Sequence, residues 1–243
     1  MSRTAVLLLL AGALLLSGCS HRSARVNVPP PPSIPENPPP AATSSVPSVP
    51  SQPAPAPAIR QPIFVETGIA SWYGPPYHNR KSSDGEIYNM NALTAAHRTL
   101  PLGSIVRVTN VSTQHSVVVR ITDRGPFIPG RIIDLSLAAA KAVDVWRAGL
   151  ARVKVELLQT PAPLNAGGRW AVQIGAFEDQ ESATELRDHL ARRYNTARVH
   201  EFASPTGNWW LQVRVPQDDK QRAEEVARDT HTAEGAVFLV RLD

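Results

Sequence analysis

The 243-residue chain predicts two modest folded parts: a mainly β domain that closes into a small barrel, then an α+β domain of order βαββαβ. Three observations carry this. Between residues 63 and 160 side chains alternate with period two, Val106 and Val108 against Arg107 and Thr109, and Val153, Val155 and Leu157 against Arg152, Lys154 and Glu156. Gly and Pro turns separate these short strands, which favours a closed β architecture. Beyond a break at 161 to 168 the pattern changes, and strands and helices succeed one another over about 75 residues in split βαβ order.

The elements follow in chain order. Arg3 precedes an apolar run from Ala5 to Leu16, too short to span a bilayer and suited to a signal-peptide core over residues 1–18. The run ends in Leu16-Ser17-Gly18-Cys19, which resembles a bacterial lipobox; Cys19, the single cysteine, would then be lipidated, and by resemblance to sorting in many Gram-negative bacteria Ser20, rather than aspartate, after it implies the outer membrane. Residues 19–62 read as a linker, because Pro29 to Pro62 holds 14 of the 23 prolines and only two charged residues. Proline removes amide donors and fixes φ, so this segment is expected to be an extended spacer. In the barrel (63–160), Val117, Val119 and Ile121 mark a further strand, and only Leu135 to Val143 reads as helix.

The second domain (168–243) opens with a strand at Arg169 to Ala176. Asp179 caps a helix carrying Ala183, Leu186 and Leu190 on one face. Strands are expected at Ala197 to Phe202 and Asn208 to Val215. Asp218 with Gln221 predicts the start of a helix bearing Ala223, Val226 and Ala227, before a last strand at Ala236 to Arg241.

Ionisable residues stand where turns are expected. Asp84-Gly85 and Gly125-Pro126 are turn dipeptides, so Glu86 and Asp123 fall at strand ends, with His97 between them in sequence. A carboxylate, an imidazole and a second carboxylate at loop ends are the makings of an acid/base site. The other chemistries are disfavoured. Seven dispersed histidines without H-E-x-x-H or a Cys/His cluster argue against a metal, and no cofactor is expected. No G-x-S-x-G elbow accompanies Ser82, Ser83 or Ser116, and scattered Lys and Arg argue against nucleic acid.

Long composite motifs add a resemblance. GIASWYG (Gly68 to Gly74), DGEIYNMNALTAAHRTLPLGSIVRVTN (Asp84 to Asn110) and VRITDRGPFIPGRIIDLSLAAA (Val119 to Ala140) resemble the RlpA family of septal-ring lytic transglycosylases, with Asn79 where many relatives carry glycine. WAVQIGAFEDQESATELRDHL followed by NWWLQVRV resembles the SPOR domain, which binds peptidoglycan strands stripped of stem peptides. The resemblance implies a six-stranded double-psi β-barrel with Asp123 as acid/base, Glu86 stabilising charge or positioning substrate, and His97 orienting or tuning it. Trp72, Tyr73 and Arg124 are expected to meet substrate in the barrel; Gln173, Phe177, Trp210, Gln212 and Arg214 are expected to do so in the second domain. The implied partners are denuded glycan strands and, through Cys19, a membrane; divisome or amidase partners are not legible. The alternative is an expansin-like wall binder that does not cut.

Overall fold

A computed structural model describes residues 62–233 and 235–243; Cys19 and the Pro-rich linker lie outside them. Six strands, β1 (Phe64–Tyr73), β2 (Thr94–His97), β3 (Ile105–Asn110), β4 (Ser116–Asp123), β5 (Arg131–Ser136) and β6 (Ala151–Gln159), close in the order β1-β5-β2-β4-β3-β6. The pairs β1–β5 and β2–β4 are parallel and the remaining neighbours antiparallel. Closure leaves this sheet without an unpaired edge. The valines of the alternating segments fill its interior: Val106, Val108, Val119, Ile121, Val153, Val155 and Leu157 are all buried.

The single helix expected over Leu135 to Val143 is instead two short ones, α1 (Leu137–Ala142) and α2 (Val145–Ala148). Leu135 belongs to β5, because its side chain completes the barrel core. The Ser136 hydroxyl oxygen then caps α1, accepting the Ala139 N–H at 3.2 Å. Asn79 adopts φ +64°, in the left-handed region that glycine enters freely and asparagine tolerates, so the departure from glycine leaves this turn intact.

The second domain is a four-stranded antiparallel sheet, β7 (Trp170–Phe177), β8 (Arg198–Ala203), β9 (Trp209–Arg214) and β10 (Ala236–Arg241), ordered β10-β7-β9-β8. Helices α3 (Gln180–Arg193) and α4 (Lys220–Asp229) bury Ala183, Leu190, Ala223 and Val226 with Val172, Ile174, Leu211 and Val213 of the strands. Asp179 caps α3, its carboxylate accepting the Ser182 N–H at 2.8 Å. The cap of α4 is Asp219, one residue beyond the expected Asp218, and accepts the Arg222 N–H at 2.9 Å. Asp218 lies in a 3-10 turn that turns its carboxylate back onto Arg214, so it is unavailable as a cap.

The end of this domain is bonded to the barrel. Arg241 N–H donates to Arg98 O, and Leu102 N–H donates to Asp243 O, each at 3.0 Å. The Arg241 side chain, 1% exposed, donates to Pro163 O at 2.8 Å and pairs with Asp243. Phe127 of the β4–β5 loop lies between Trp210 and Phe238, with ring centroids 5.5 and 5.9 Å away.

Candidate active site

Short strand β2 organises the site. Its Ala95 pairs with Ile121 of β4 and Leu135 of β5, all three buried in the core. Between Ala95 and Ala96 the β2–β4 register slips, so that Asp123, not Thr122, pairs with Ala96. In a regular strand Asp123 would share the core face of Ile121; the slip turns it to the opposite face. Asp134 of β5 pairs with Ala96 from the other side. The two aspartates thus flank Ala96 on one face, their Cα atoms roughly 10 Å apart at two strand spacings. All three residues line a cleft of about 1030 Å³.

Asp123 uses one oxygen for structure. Its Oδ1 accepts Ser83 Oγ–H at 2.5 Å, Ser83 N–H at 3.1 Å and Arg124 N–H at 2.8 Å. Its Oδ2 makes no hydrogen bond among the described residues. Burial pushes the Asp123 pKa above the ordinary carboxylate value, and the hydrogen bonds from Ser83 and Arg124 only partly oppose this. The result is a held carboxyl group with one oxygen free to carry a proton. Beside it Tyr73 stacks on Tyr88 with centroids 4.3 Å apart and meets Tyr77 edge-on at 6.0 Å. Burial, and then the charge of Asp123, raise the Tyr73 phenol well above its usual value, which keeps it neutral.

The other two members of the expected trio stand apart from the cleft. Glu86 forms a two-pronged ion pair with Arg120, at 3.0 and 2.6 Å, that holds its carboxyl below the usual range; Arg120 also reaches Asp84 at 3.3 Å. The pair braces the Ser82–Glu86 turn that carries Ser83. His97 is 3% exposed, and burial lowers its pKa, with Glu66 opposing. Its Nδ1 accepts the N–H groups of Thr99 and Leu100 at 3.2 and 3.0 Å, which leaves Nε2–H to donate to Glu66 at 3.2 Å. Both ring nitrogens are therefore engaged away from Asp123. The Ser83 side chain bonds Asp123 and the Arg124 N–H, and no histidine hydrogen-bonds it among the described residues.

Arg124 was expected to meet substrate, and it lines the cleft, but its guanidinium is committed to backbone. Nη1 donates to His97 O at 3.0 Å and Leu100 O at 2.7 Å, and Nη2 donates to Asp243 O at 2.6 Å. Burial lowers its pKa to about 10.

The second sheet supplies the facing wall. Gln173 and Gln212 are register partners on β7 and β9, and both line the cleft with Trp210, as Trp72 and Tyr73 do from the barrel. Two expected ligands are elsewhere. Phe177 is 2% exposed in the core beneath the helices, because it closes the apolar end of β7. Arg214 is held by Asp218 over a separate depression shared with His200. Sequence reasoning missed Asp134, whose pKa burial pushes up to about 6 against the pull of Arg131, 2.8 Å away, and whose Oδ1 is buried without a hydrogen bond. A lone carboxylate among Ile132, Ile133 and Leu135 was the available signal. Among the described residues no cluster of His, Cys, Asp and Glu converges as a metal site.

A closed barrel with two parallel strand pairs, an aspartate raised in a cleft, and a split βαββαβ sheet forming its far wall define a double-psi barrel joined to a SPOR module. Residues 65–155 match the family described as lytic transglycolase, and residues 166–237 match the SPOR domain. The chain is 39% identical over 201 residues to the endolytic peptidoglycan transglycosylase RlpA of Campylobacter jejuni, covering 72% of this chain and 71% of the relative. It is 57% identical over 170 residues to the RlpA of Neisseria meningitidis serogroup B, covering 65% and 71%. With the RlpA of Helicobacter pylori strain J99 the identity is 44% over 151 residues, spanning 51% of this chain and about half, 48%, of that relative. The chain belongs to the RlpA family.

Proposed function

We propose that this protein is an endolytic peptidoglycan transglycosylase that cuts glycan strands, prefers strands lacking stem peptides, and leaves 1,6-anhydro-muramic ends. The observation that carries the reading is Asp123: a raised carboxyl with Oδ1 fixed by three hydrogen bonds and Oδ2 unbonded, in a cleft rimmed by aromatic side chains. Relatives named as peptidoglycan transglycosylases support the substrate class.

In the proposed reaction Asp123 gives its proton to the glycosidic oxygen as the bond to the muramic C1 breaks. The carboxylate so formed then takes the proton of the muramic C6 hydroxyl as that oxygen bonds to C1. One carboxyl group returns to its starting state and no water is consumed. Asp134, across Ala96, supplies negative charge near the oxocarbenium-like centre once ionised. Trp72 and Tyr73 offer ring faces to sugar C–H surfaces. Glu86 acts through Arg120 on the Ser83 turn, and His97 acts through its carbonyl on Arg124; both are positioning residues.

Intact and amidase-treated sacculi incubated with the full protein test the reading by mass spectrometry of the soluble products. Anhydro-terminated glycans are expected, more from amidase-treated wall. Reducing ends would mean hydrolysis, and no release would mean a wall-binding protein.

The proposal extends to location. Cys19 carries lipid and holds the protein in the envelope, at the outer membrane, and the second domain recruits it to septal wall. The lipobox string and Ser20 support the anchor. Acyl chains contribute about 0.8 kcal/mol per buried methylene, so several chains give firm attachment. Cys19→Ala is expected to abolish palmitate labelling; labelling at the wild-type level would remove the anchor from this account.

A further inference from the structure

The cleft beside Asp123 has two walls from two domains, and nothing in the separate roles of cutting and wall binding requires that. We infer that the SPOR sheet is part of the active-site cleft, so that one glycan strand lies against both domains at once, with its scissile bond at Asp123 and its flanking sugars on Gln173 and Gln212. The inference deepens the proposed function and rests on it for the identity of the ligand.

Three observations carry it. The first is continuity: a single cavity is lined by Asp123, Asp134 and Tyr77 on the barrel side and by Gln173, Gln212 and Phe202 on the sheet side. The second is the state of Gln173. It is 3% exposed, yet the only hydrogen bond of its side chain among the described residues is a long one, 3.5 Å, from Gln212 Nε2 to its Oε1. A primary amide has four hydrogen-bonding positions, and the Gln173 side chain fills only one of them among the described residues. Lining the cleft, the Gln173 amide N–H groups are placed for a ligand rich in hydroxyl and acetamido oxygens, which describes a glycan strand.

The third observation is that the walls are held in register from within the site. Arg124, whose own N–H holds Asp123 Oδ1, clamps the barrel carbonyls of His97 and Leu100 to Asp243 of the second domain. Phe127, three residues further on, seats its ring against Trp210 and Phe238 of the sheet. The loop that presents the acid is the loop that docks the sheet. Phe202, 41% exposed on the sheet side, and Tyr77 on the barrel side line the same cleft.

Titration calorimetry of the full-length Asp123→Asn protein with amidase-stripped glycan strands of defined length is the test, since that variant holds strands uncut. One strand per protein is expected to bind in a single event. Tyr77→Ala on the barrel side and Gln212→Ala on the sheet side, each added to Asp123→Asn, should weaken that same event by about tenfold, the equivalent of one or two lost hydrogen bonds or ring contacts. Phe202→Ala, at an exposed position, serves as a second sheet-side variant and should act in the same direction. Two independent binding events, one sensitive only to Tyr77 and the other only to Gln212, overturn the inference even if anhydro products are released. A single event sensitive to both walls, with no anhydro product from the protein carrying Asp123, sustains the shared cleft and removes only the transglycosylase reading.

Discussion

Replacing Asp123 by asparagine is expected to lower the release of anhydro-terminated glycan by about 10²- to 10⁴-fold, the usual cost of losing a general acid. Folding should be unaffected, because the asparagine amide oxygen still accepts the N–H groups of Ser83 and Arg124. A pH profile adds a second readout. Burial raises the Asp123 pKa, so the protonated form persists to a higher pH than an ordinary carboxyl allows, and the rate falls as pH climbs through the raised value. The same shift affects stability with a definite sign. Its contribution is present below the unfolded pKa and is lost as pH rises through the folded one, and the asparagine variant lacks that dependence. Asp134→Asn should remove any inflection near pH 6, where burial places its pKa. Glu86→Gln, which disturbs an exposed pair, should reduce turnover less than either. Near-normal product release by the Asp123→Asn protein would end the acid/base assignment.

Arg124→Met is expected to give the largest loss of stability. The change leaves three carbonyls, those of His97, Leu100 and Asp243, without their shared donor. Charge-assisted hydrogen bonds contribute about 1.5–3 kcal/mol each, and water entering the gap recovers part of that. A net cost of about 3–5 kcal/mol is the usual scale for breaking a buried charged network. For a folded unit of this size that corresponds to a melting temperature lower by on the order of 10 °C. Differential scanning calorimetry should also separate the barrel and sheet transitions, because the clamp between them is gone. Arg124→Lys should recover little, since an ammonium group lacks the planar fork that reaches carbonyls on both sides. A melting curve for Arg124→Met that overlays the wild type would show that the clamp contributes nothing.

Much of the fold was legible because it depends on local pattern. Period-two alternation in β3, β4 and β6 places Val106, Val119 and Val155 in the barrel, and the run at 236 to 241 coincides with β10. Asp179 caps its helix as the sequence predicts, since an Asp before an amphipathic run satisfies N–H groups only a few residues away. The Asp218 cap failed by one residue because Arg214, on another element, took that carboxylate.

The sequence by itself determined the two domains, the family and the presence of Asp123 at a strand end, all of which rest on residue type and order. Tertiary structure alone decided which chemical groups meet. The register slip beside Ala96 sets Asp123 on the cleft face, and the parallel pairing of β2 with β4 brings it alongside Asp134. The same packing turns His97 inward to Glu66, buries Phe177, and commits Arg124 to the second domain. These outcomes depend on pairings between residues as far apart as 124 and 243 and on which polar groups found partners when water was excluded. Local sequence pattern does not encode such pairings.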